Sequence, residues 1–181
     1  MLKIEVPSGE IFDERTNRFI TIRGRELQLE HSLVSLSKWE SKWKKPFLEC
    51  AEMTHEETVD YVRCMTISQN VDPSVYDGLT DKNLEEVRNY INDPMTATTF
   101  RNAPNARSGG HKIITSEIIY SWMISLEIPV EFQKWHLNRL MTLIRVCKES
   151  NSPGKKMSQR DVINQYRSLN QARRAKTGSR G

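Results

Sequence analysis

Histidines and cysteines are the side chains in this 181-residue sequence best suited to nucleophilic or metal chemistry. The four histidines, His31, His55, His111 and His136, are isolated, and no Cys-x-x-Cys or His-Glu-x-x-His pattern occurs. The three cysteines lie within apolar helical patterns and outside any nucleophile motif; they are Cys50, Cys64 and Cys147. This arrangement predicts small buried thiols in a reducing cytoplasm, with no metal ligands among them.

Carboxylates and glycines add no catalytic pattern. Glu56 and Glu57 lie near Asp60 at the start of a predicted helix, where carboxylates interact favourably with the helix dipole. The pair Gly109-Gly110 lacks the Lys-Ser or Lys-Thr that follows a phosphate-binding loop. The sequence therefore predicts a protein that is not an enzyme, with no catalytic residues, no cofactor and no metal. It points instead to a protein that works by binding another protein.

The elements that would carry a binding surface are a short β region and a series of helices. Alternation of apolar and polar residues predicts three strands, at 2–6, 19–23 and 26–30, and a small antiparallel sheet over residues 1–30. Helical spacing then predicts a first helical half over 31–93, which packs against the sheet. The sequence therefore predicts an α+β fold, in which a small N-terminal antiparallel sheet precedes a mainly helical body.

Polar residues mark where the helices should begin. Ser32, Thr54, Asp72 and Ser116 are predicted N-caps, and Thr54 forms a capping box with Glu57. Thr80-Asp81 is predicted to start another helix. Residues 94–115 lack periodicity and are predicted to form a loop, and a second helical half follows over 116–150. Within it, Pro129 is predicted at the first turn of a helix that continues to Cys147, because the backbone N–H that proline lacks would be unpaired at that position in any case.

A basic tail, residues 151–181, is predicted to be helical or disordered. Residues 155–181 carry eight basic residues and one acidic residue, whereas residues 1–154 carry 19 and 22. Such a tail suits an anionic partner or docking on the acidic body. Nucleic-acid binding is not favoured, because Tyr166 is the only aromatic residue in the tail and no base-reading motif is visible.

Four tryptophans are distributed over the helices, and core packing is the expected role of each. The alternative is that one pair, Trp39 with Trp43 or Trp122 with Trp135, lines a groove for a partner helix. The predicted partner-binding residues come from the second helical half and the tail. They are Trp122, Trp135, His136, Arg139, Arg167, Arg173 and Arg174.

Several blocks of the sequence resemble a known family. They are EHSLVSLSKWESKW at 30–43, DYVRCMT at 60–66, PMTAT at 94–98 and the run at 117–147 that contains QKWHLNRL. These blocks, in this order, resemble the tail assembly chaperones of siphovirus-type bacteriophages. The resemblance implies a chaperone that binds the tape measure protein and recruits the tail tube protein. It also implies a place in the host cytoplasm and absence from the mature virion.

Two other functions stay open at the level of sequence. One is a structural virion protein of the phage neck or baseplate, and the other is a nucleic-acid-binding accessory protein. Self-association is also left open. The N-terminus lacks the apolar segment of a signal peptide, and no run of about 18 apolar residues occurs, so no membrane partner is expected.

Overall fold

The N-terminal β region is one long antiparallel hairpin, and each of its two arms is divided into two short strands. In the computed structural model, which describes residues 1–13, 17–99, 113–151, 163, 166 and 167, the strands are β1 (Leu2–Val6), β2 (Gly9–Asp13), β3 (Arg18–Ile22) and β4 (Arg25–Leu29). β1 pairs with β4, and β2 pairs with β3. The register continues from one ladder to the next, since Val6 lies opposite Arg25 and Gly9 lies opposite Ile22.

The prediction of three strands was wrong in one respect, because it omitted β2. The segment GEIFD has a glycine and two acidic residues, which are depleted in strands, so its local sequence gives a weak signal. Backbone pairing with β3 stabilises β2 as a strand, although its own residues do not favour that structure. The hairpin is interrupted at residues 7–8, where Gly24 approaches the opposite strand. A Cβ at Gly24 would lie 2.8 Å from the backbone nitrogen of Ser8, so only glycine fits there without a shift.

The rest of the described chain is mainly helical, which confirms the predicted α+β class. The helices are α1 (Leu33–Trp43), α2 (His55–Met65), α3 (Ser74–Asp77), α4 (Asp81–Asn92), α5 (Ser116–Ser125) and α6 (Leu137–Asn151). Two 3-10 segments, Phe47–Glu49 and Val130–Lys134, lie between them. In the described part of the predicted loop, residues 94–99 and 113–115 form neither helix nor strand.

Two predicted N-caps and one predicted helix start are confirmed. Ser32, Thr54 and Thr80 each accept a hydrogen bond from the backbone N–H three residues later, and each forms a capping box. At α3 the cap is Pro73, one residue later than the predicted Asp72, and at α5 it is Thr115, one residue earlier than predicted. These polar residues therefore set where three of the helices begin.

The predicted helix from Pro129 to Cys147 is interrupted. Residues 130–134 form a 3-10 segment, Trp135 is extended, and α6 begins only at Leu137. The cause is tertiary: the Leu137 N–H donates to the carbonyl oxygen of His31 at 2.7 Å, and His136 forms a β-bridge with Ser32. Those contacts require an extended backbone at the position where a continuous helix would otherwise pass.

The chain divides into two compact units, Met1–Val146 and Cys147–Gly181. The first unit contains two apolar clusters. One joins β1 and β4 to α2, α3 and α4, and its buried side chains include Ile4, Leu27, Trp39, Tyr61 and Val87. The other joins α1, α5 and α6 through Leu33, Leu36, Ile119, Met123, Leu137, Leu140 and Ile144. Helix α1 contributes to both clusters, because Leu33 and Leu36 belong to the second cluster and Trp39 to the first.

A buried carboxylate fixes α1 to its neighbours. Glu40 is buried, and its Oε1 accepts a hydrogen bond from the backbone N–H of Phe47 at 3.0 Å. Its Oε2 accepts from the backbone N–H of Ser116 at 2.8 Å. Both oxygens are therefore satisfied, and the carboxylate ties the 3-10 segment after α1 and the first residue of α5 to α1.

Candidate functional site

Helix α6 has two stripes of side chains with different surroundings. Leu137, Leu140 and Ile144 are buried and face the second apolar cluster. A second stripe, at spacings of three, four and seven residues, consists of Arg139, Thr142, Leu143 and Val146. These four residues line a cavity of about 440 Å³ that is open to solvent. Apolar side chains outside the core, here Leu143 and Val146, are a feature of helices that bind a partner.

The opposite wall of this cavity is the segment that leaves α4. Met95, Thr96, Ala97 and Thr98 line it, together with Trp135. Asn138 anchors the wall to α6, since its side-chain N–H groups donate to the carbonyl oxygens of Ile91 at 2.9 Å and Asp93 at 2.7 Å. We call this site the Trp135 surface; its lining residues are Met95, Thr96, Ala97, Thr98, Trp135, Arg139, Thr142, Leu143 and Val146.

Trp135 contacts both a second aromatic ring and a guanidinium group. The rings of Phe132 and Trp135 are stacked, with centroids 4.1 Å apart and planes 19° from parallel. The guanidinium carbon of Arg139 lies 4.2 Å from the Trp135 ring centroid, within the range of a cation–π interaction. Stacking holds the guanidinium while its N–H donors at the plane edge remain able to bind a carboxylate. Arg139 is exposed, so such a carboxylate could reach it from solvent.

The lining of the Trp135 surface combines apolar side chains, hydroxyl groups and one arginine. Tryptophan and arginine are the residues that most often dominate the energy of protein interfaces, and a stacked arginine loses little side-chain freedom when it binds. The surface suits an apolar helix or strand that carries a carboxylate.

The predicted partner-binding residues fall in different places. Trp135 and Arg139 come together on the Trp135 surface. Trp122 is half-buried and packs against the second apolar cluster. Arg167 is helical and exposed in the second unit, and Arg173 and Arg174 lie outside the described residues, as does most of the predicted tail. His136 does not join the surface, because its side chain is only 6% exposed.

His136 instead belongs to a buried polar seam between the two apolar clusters. Its Nε2 donates to the carbonyl oxygen of Tyr90 at 3.0 Å, and its Nδ1 accepts from the Asn138 N–H at 3.3 Å. When the imidazole is neutral, these two bonds place its proton on Nε2, since a carbonyl oxygen only accepts and a backbone N–H only donates. The ring of His136 meets the ring of His31 edge-on, with centroids 5.1 Å apart.

His31 is the second histidine of the seam and is 1% exposed. Its Nδ1 is 2.6 Å from the hydroxyl oxygen of Tyr61. Burial, and then the nearby His136, lower the pKa of His31 to about 3. Burial and the hydrogen bond to Glu30 raise the pKa of Tyr90 above its usual value. Hydrogen bonds thus link the two histidines to Tyr61 and Tyr90 of the first cluster and to Leu137 of the second.

Sequence reasoning missed a second concavity, between the 47–53 segment, α2 and α4. It has a volume of about 450 Å³, and its walls include Phe47, Met53, Leu84 and Ile91, with exposed Arg88 at the rim. We call it the α2–α4 groove. Its lining comes from three separate stretches of sequence, so no local pattern could have indicated it. The only local signal was the apolar content of the irregular segment that contains Phe47 and Met53.

The prediction that the three cysteines are buried needs a correction. Cys50, Cys64 and Cys147 are free, but each is partly exposed rather than fully buried. Burial raises the pKa of the Cys64 thiol. Among the residues that the structure describes, no group of three or more His, Cys, Asp or Glu side chains could hold a metal ion. No helix within those same residues has the length and apolar character needed to cross a membrane.

Comparisons with family models, with curated proteins and with solved structures give no match for this chain.

Proposed function

We propose that this protein is a non-enzymatic tail assembly chaperone of a siphovirus-type bacteriophage, and that the Trp135 surface binds its client. The client would be the tape measure protein, a long helical protein with exposed apolar side chains. The observation that carries the proposal is the second stripe of α6, which lines an open cavity beside a stacked tryptophan and arginine. The blocks at 30–43 and 117–147 support the choice of family by their resemblance.

The geometry suits a helical client. Leu143 and Val146 offer apolar contacts along α6, and Trp135 provides a large rigid surface at one end of the cavity. An amphipathic client helix binds such a surface through side chains spaced three, four and seven residues apart. Covering these side chains prevents the client from aggregating through them, because the apolar area is removed from water in the complex.

The proposed role also includes recruitment of the tail tube protein, release before the tail is complete and residence in the host cytoplasm. The Trp135 surface would be occupied by the client during assembly, so a different surface would bind the tail tube protein. The α2–α4 groove is a concavity of similar volume among the described residues, and we assign it to that second partner.

Co-expression with the tape measure protein tests the proposal. Wild-type chain is expected to keep the tape measure protein in the soluble fraction after centrifugation. Arg139→Glu combined with Val146→Asp should lower that soluble fraction several-fold, because the two changes place negative charges on the surface that contacts the client. Both side chains are exposed, so the variant should fold, which its unfolding midpoint in urea checks.

Arg88→Glu is the matched control. Arg88 is likewise an exposed arginine on a helix, but it lies on the rim of the α2–α4 groove. It should leave the solubility of the tape measure protein unchanged. If Arg88→Glu lowered the soluble fraction of the tape measure protein as much as the double variant does, the assignment of the client to the Trp135 surface would be refuted. An insoluble tape measure protein in the presence of wild-type chain would refute the chaperone function itself.

A further inference from the structure

Among the residues that the structure describes, Arg139 is the only charged side chain that lines the Trp135 surface. Residues 1–154 carry 22 acidic residues against 19 basic ones, yet no described carboxylate belongs to this lining. Within the same described residues, no carboxylate forms an ion pair with Arg139. The surface therefore presents one positive charge in otherwise uncharged surroundings.

Several other basic side chains are neutralised within the chain. Lys42 and Arg63 both pair with Asp60, and Lys45 pairs with Glu57. Both of these carboxylates are buried, so their ion pairs belong to the packing around α2. The interaction of Arg139 is different in kind, because its guanidinium lies over the Trp135 ring. A ring face accepts no conventional hydrogen bond from the edge of the guanidinium, so those N–H donors remain available to a partner.

The threonines of the Trp135 surface are weaker candidates for binding a charged partner. The hydroxyl group of Thr142 donates to the carbonyl oxygen of Asn138 at 2.9 Å. The hydroxyl oxygen of Thr96 accepts from the backbone N–H of Thr98 at 3.1 Å. These two hydroxyl groups are engaged within their own segments. The guanidinium of Arg139 is therefore the strongest donor that the surface offers, because its hydrogen bonds to an anion are charge-assisted.

The spacing of residues on α6 determines what a matching helix must carry. Leu143 lies four residues beyond Arg139, and Val146 lies seven residues beyond it. These separations correspond to about 6 Å and about 10.5 Å along the helix axis. A client helix that packs along this stripe contacts it through side chains with similar spacings. A carboxylate that reaches Arg139 must therefore lie about one turn from the apolar side chains that contact Leu143 and Val146.

We infer that the Trp135 surface binds preferentially those apolar helices that carry a glutamate or aspartate one turn from their apolar side chains, and that Arg139 binds this carboxylate. The inference rests on the proposed function, since it specifies which segments of the client the same surface binds. Leu143 and Val146 provide contacts that any apolar helix can make. Arg139 is then the residue that determines specificity among such helices, because an apolar helix without the carboxylate leaves its guanidinium without an anionic partner.

Two synthetic helical peptides of about 20 residues test this preference by fluorescence anisotropy. Both carry leucines at spacings of three, four and seven residues. One has a glutamate one turn before and another one turn after the leucine stripe, and the other has glutamines at these two positions. Either direction of binding then places a carboxylate of the first peptide near Arg139. The glutamate peptide should bind the wild-type chain about fivefold more tightly, as expected for one ion pair at an exposed site.

Two variants show whether Arg139 causes the preference. Arg139→Gln should bind the two peptides with equal affinity, because glutamine has no charge to attract the carboxylate. Arg88→Gln is the matched control, since Arg88 is an exposed helical arginine on the rim of the α2–α4 groove. This control should keep the full preference of wild type. Comparing both peptides on both proteins separates the pairwise interaction from any difference in helicity between the peptides. Urea unfolding of each variant checks that its fold is unchanged.

The possible failures distinguish this inference from the proposed function. Equal binding of the two peptides to wild type would overturn the inference alone, since the surface would then bind apolar helices regardless of their charge. An unchanged preference in Arg139→Gln would overturn it as well, because the carboxylate would bind elsewhere. If neither peptide bound to wild type, the inference and the assignment of a helical client to the Trp135 surface would both be wrong.

Discussion

Protonation of His31 should make the stability of this protein depend on pH. The folded pKa of His31 is about 3, whereas the ordinary value is 6.5. Between these two pH values the unfolded chain binds a proton that the folded chain does not, so stability falls as the pH falls. Above pH 6.5 the imidazole is neutral in both states, and His31 adds no pH dependence there. At pH 5, His31 should therefore reduce the free energy of unfolding by about 2 kcal/mol relative to pH 8.

The assay is urea unfolding of wild type and His31→Gln at pH 8 and pH 5. Carboxylates also titrate in acid, so the informative quantity is the difference between the two proteins at each pH. Glutamine retains a hydrogen-bonding group near Tyr61 but does not titrate, so wild type should lose about 2 kcal/mol more than the variant between the two pH values. In thermal unfolding this corresponds to roughly 4–8 °C.

His55→Gln is the matched control, because His55 is exposed at the start of α2. This variant should keep the full pH dependence of wild type. The reasoning would be refuted if His31→Gln and wild type lost the same stability between pH 8 and pH 5. Such a result would mean that the His31 side chain is accessible to protons in the folded state.

Two further substitutions test the packing that positions the elements. Glu40→Gln should lower the free energy of unfolding by about 1–3 kcal/mol, because the amide nitrogen cannot accept one of the two hydrogen bonds from buried N–H groups. Glu85→Gln, on an exposed face, is the control and should change the free energy of unfolding by less than about 0.5 kcal/mol. Urea unfolding compares the two variants. Gly24→Ala should lower the free energy of unfolding by about 1–3 kcal/mol, because the new Cβ clashes with the opposite strand. Gly9→Ala has open space around its Cβ, so its free energy of unfolding should be within about 1 kcal/mol of wild type. Similar costs at the two glycines would contradict the close approach at Gly24.

Local signals in the sequence were sufficient for the starts of three helices and for the fold class. Ser32, Thr54 and Thr80 act through hydrogen bonds within their own first turns, so their effect is visible in a short stretch of sequence. The alternation in β1, β3 and β4 likewise reflects side chains that point to opposite faces of the hairpin. These features do not depend on residues far away in the chain.

Features that depend on distant contacts were not predictable in the same way. The break before α6 arises from hydrogen bonding and a β-bridge between residues 31–32 and residues 136–137, which are about a hundred positions apart. The burial of His136 has the same cause, and nothing in its local pattern distinguishes it from an exposed histidine. Trp135 and Arg139 were both among the predicted partner-binding residues, whereas the wall at 95–98 that completes their surface comes from a distant stretch of sequence and could not be predicted from the local pattern.

The central claim is that this protein binds a phage tape measure protein during tail assembly. The most direct test is to purify a tagged copy of the chain from infected cells during tail assembly and to identify the co-purifying proteins by mass spectrometry. We predict that the tape measure protein is strongly enriched and that the chain itself is absent from purified virions. The claim would be contradicted if the tape measure protein were not enriched and the chain were present in the virions, as expected for a structural protein of the neck or baseplate.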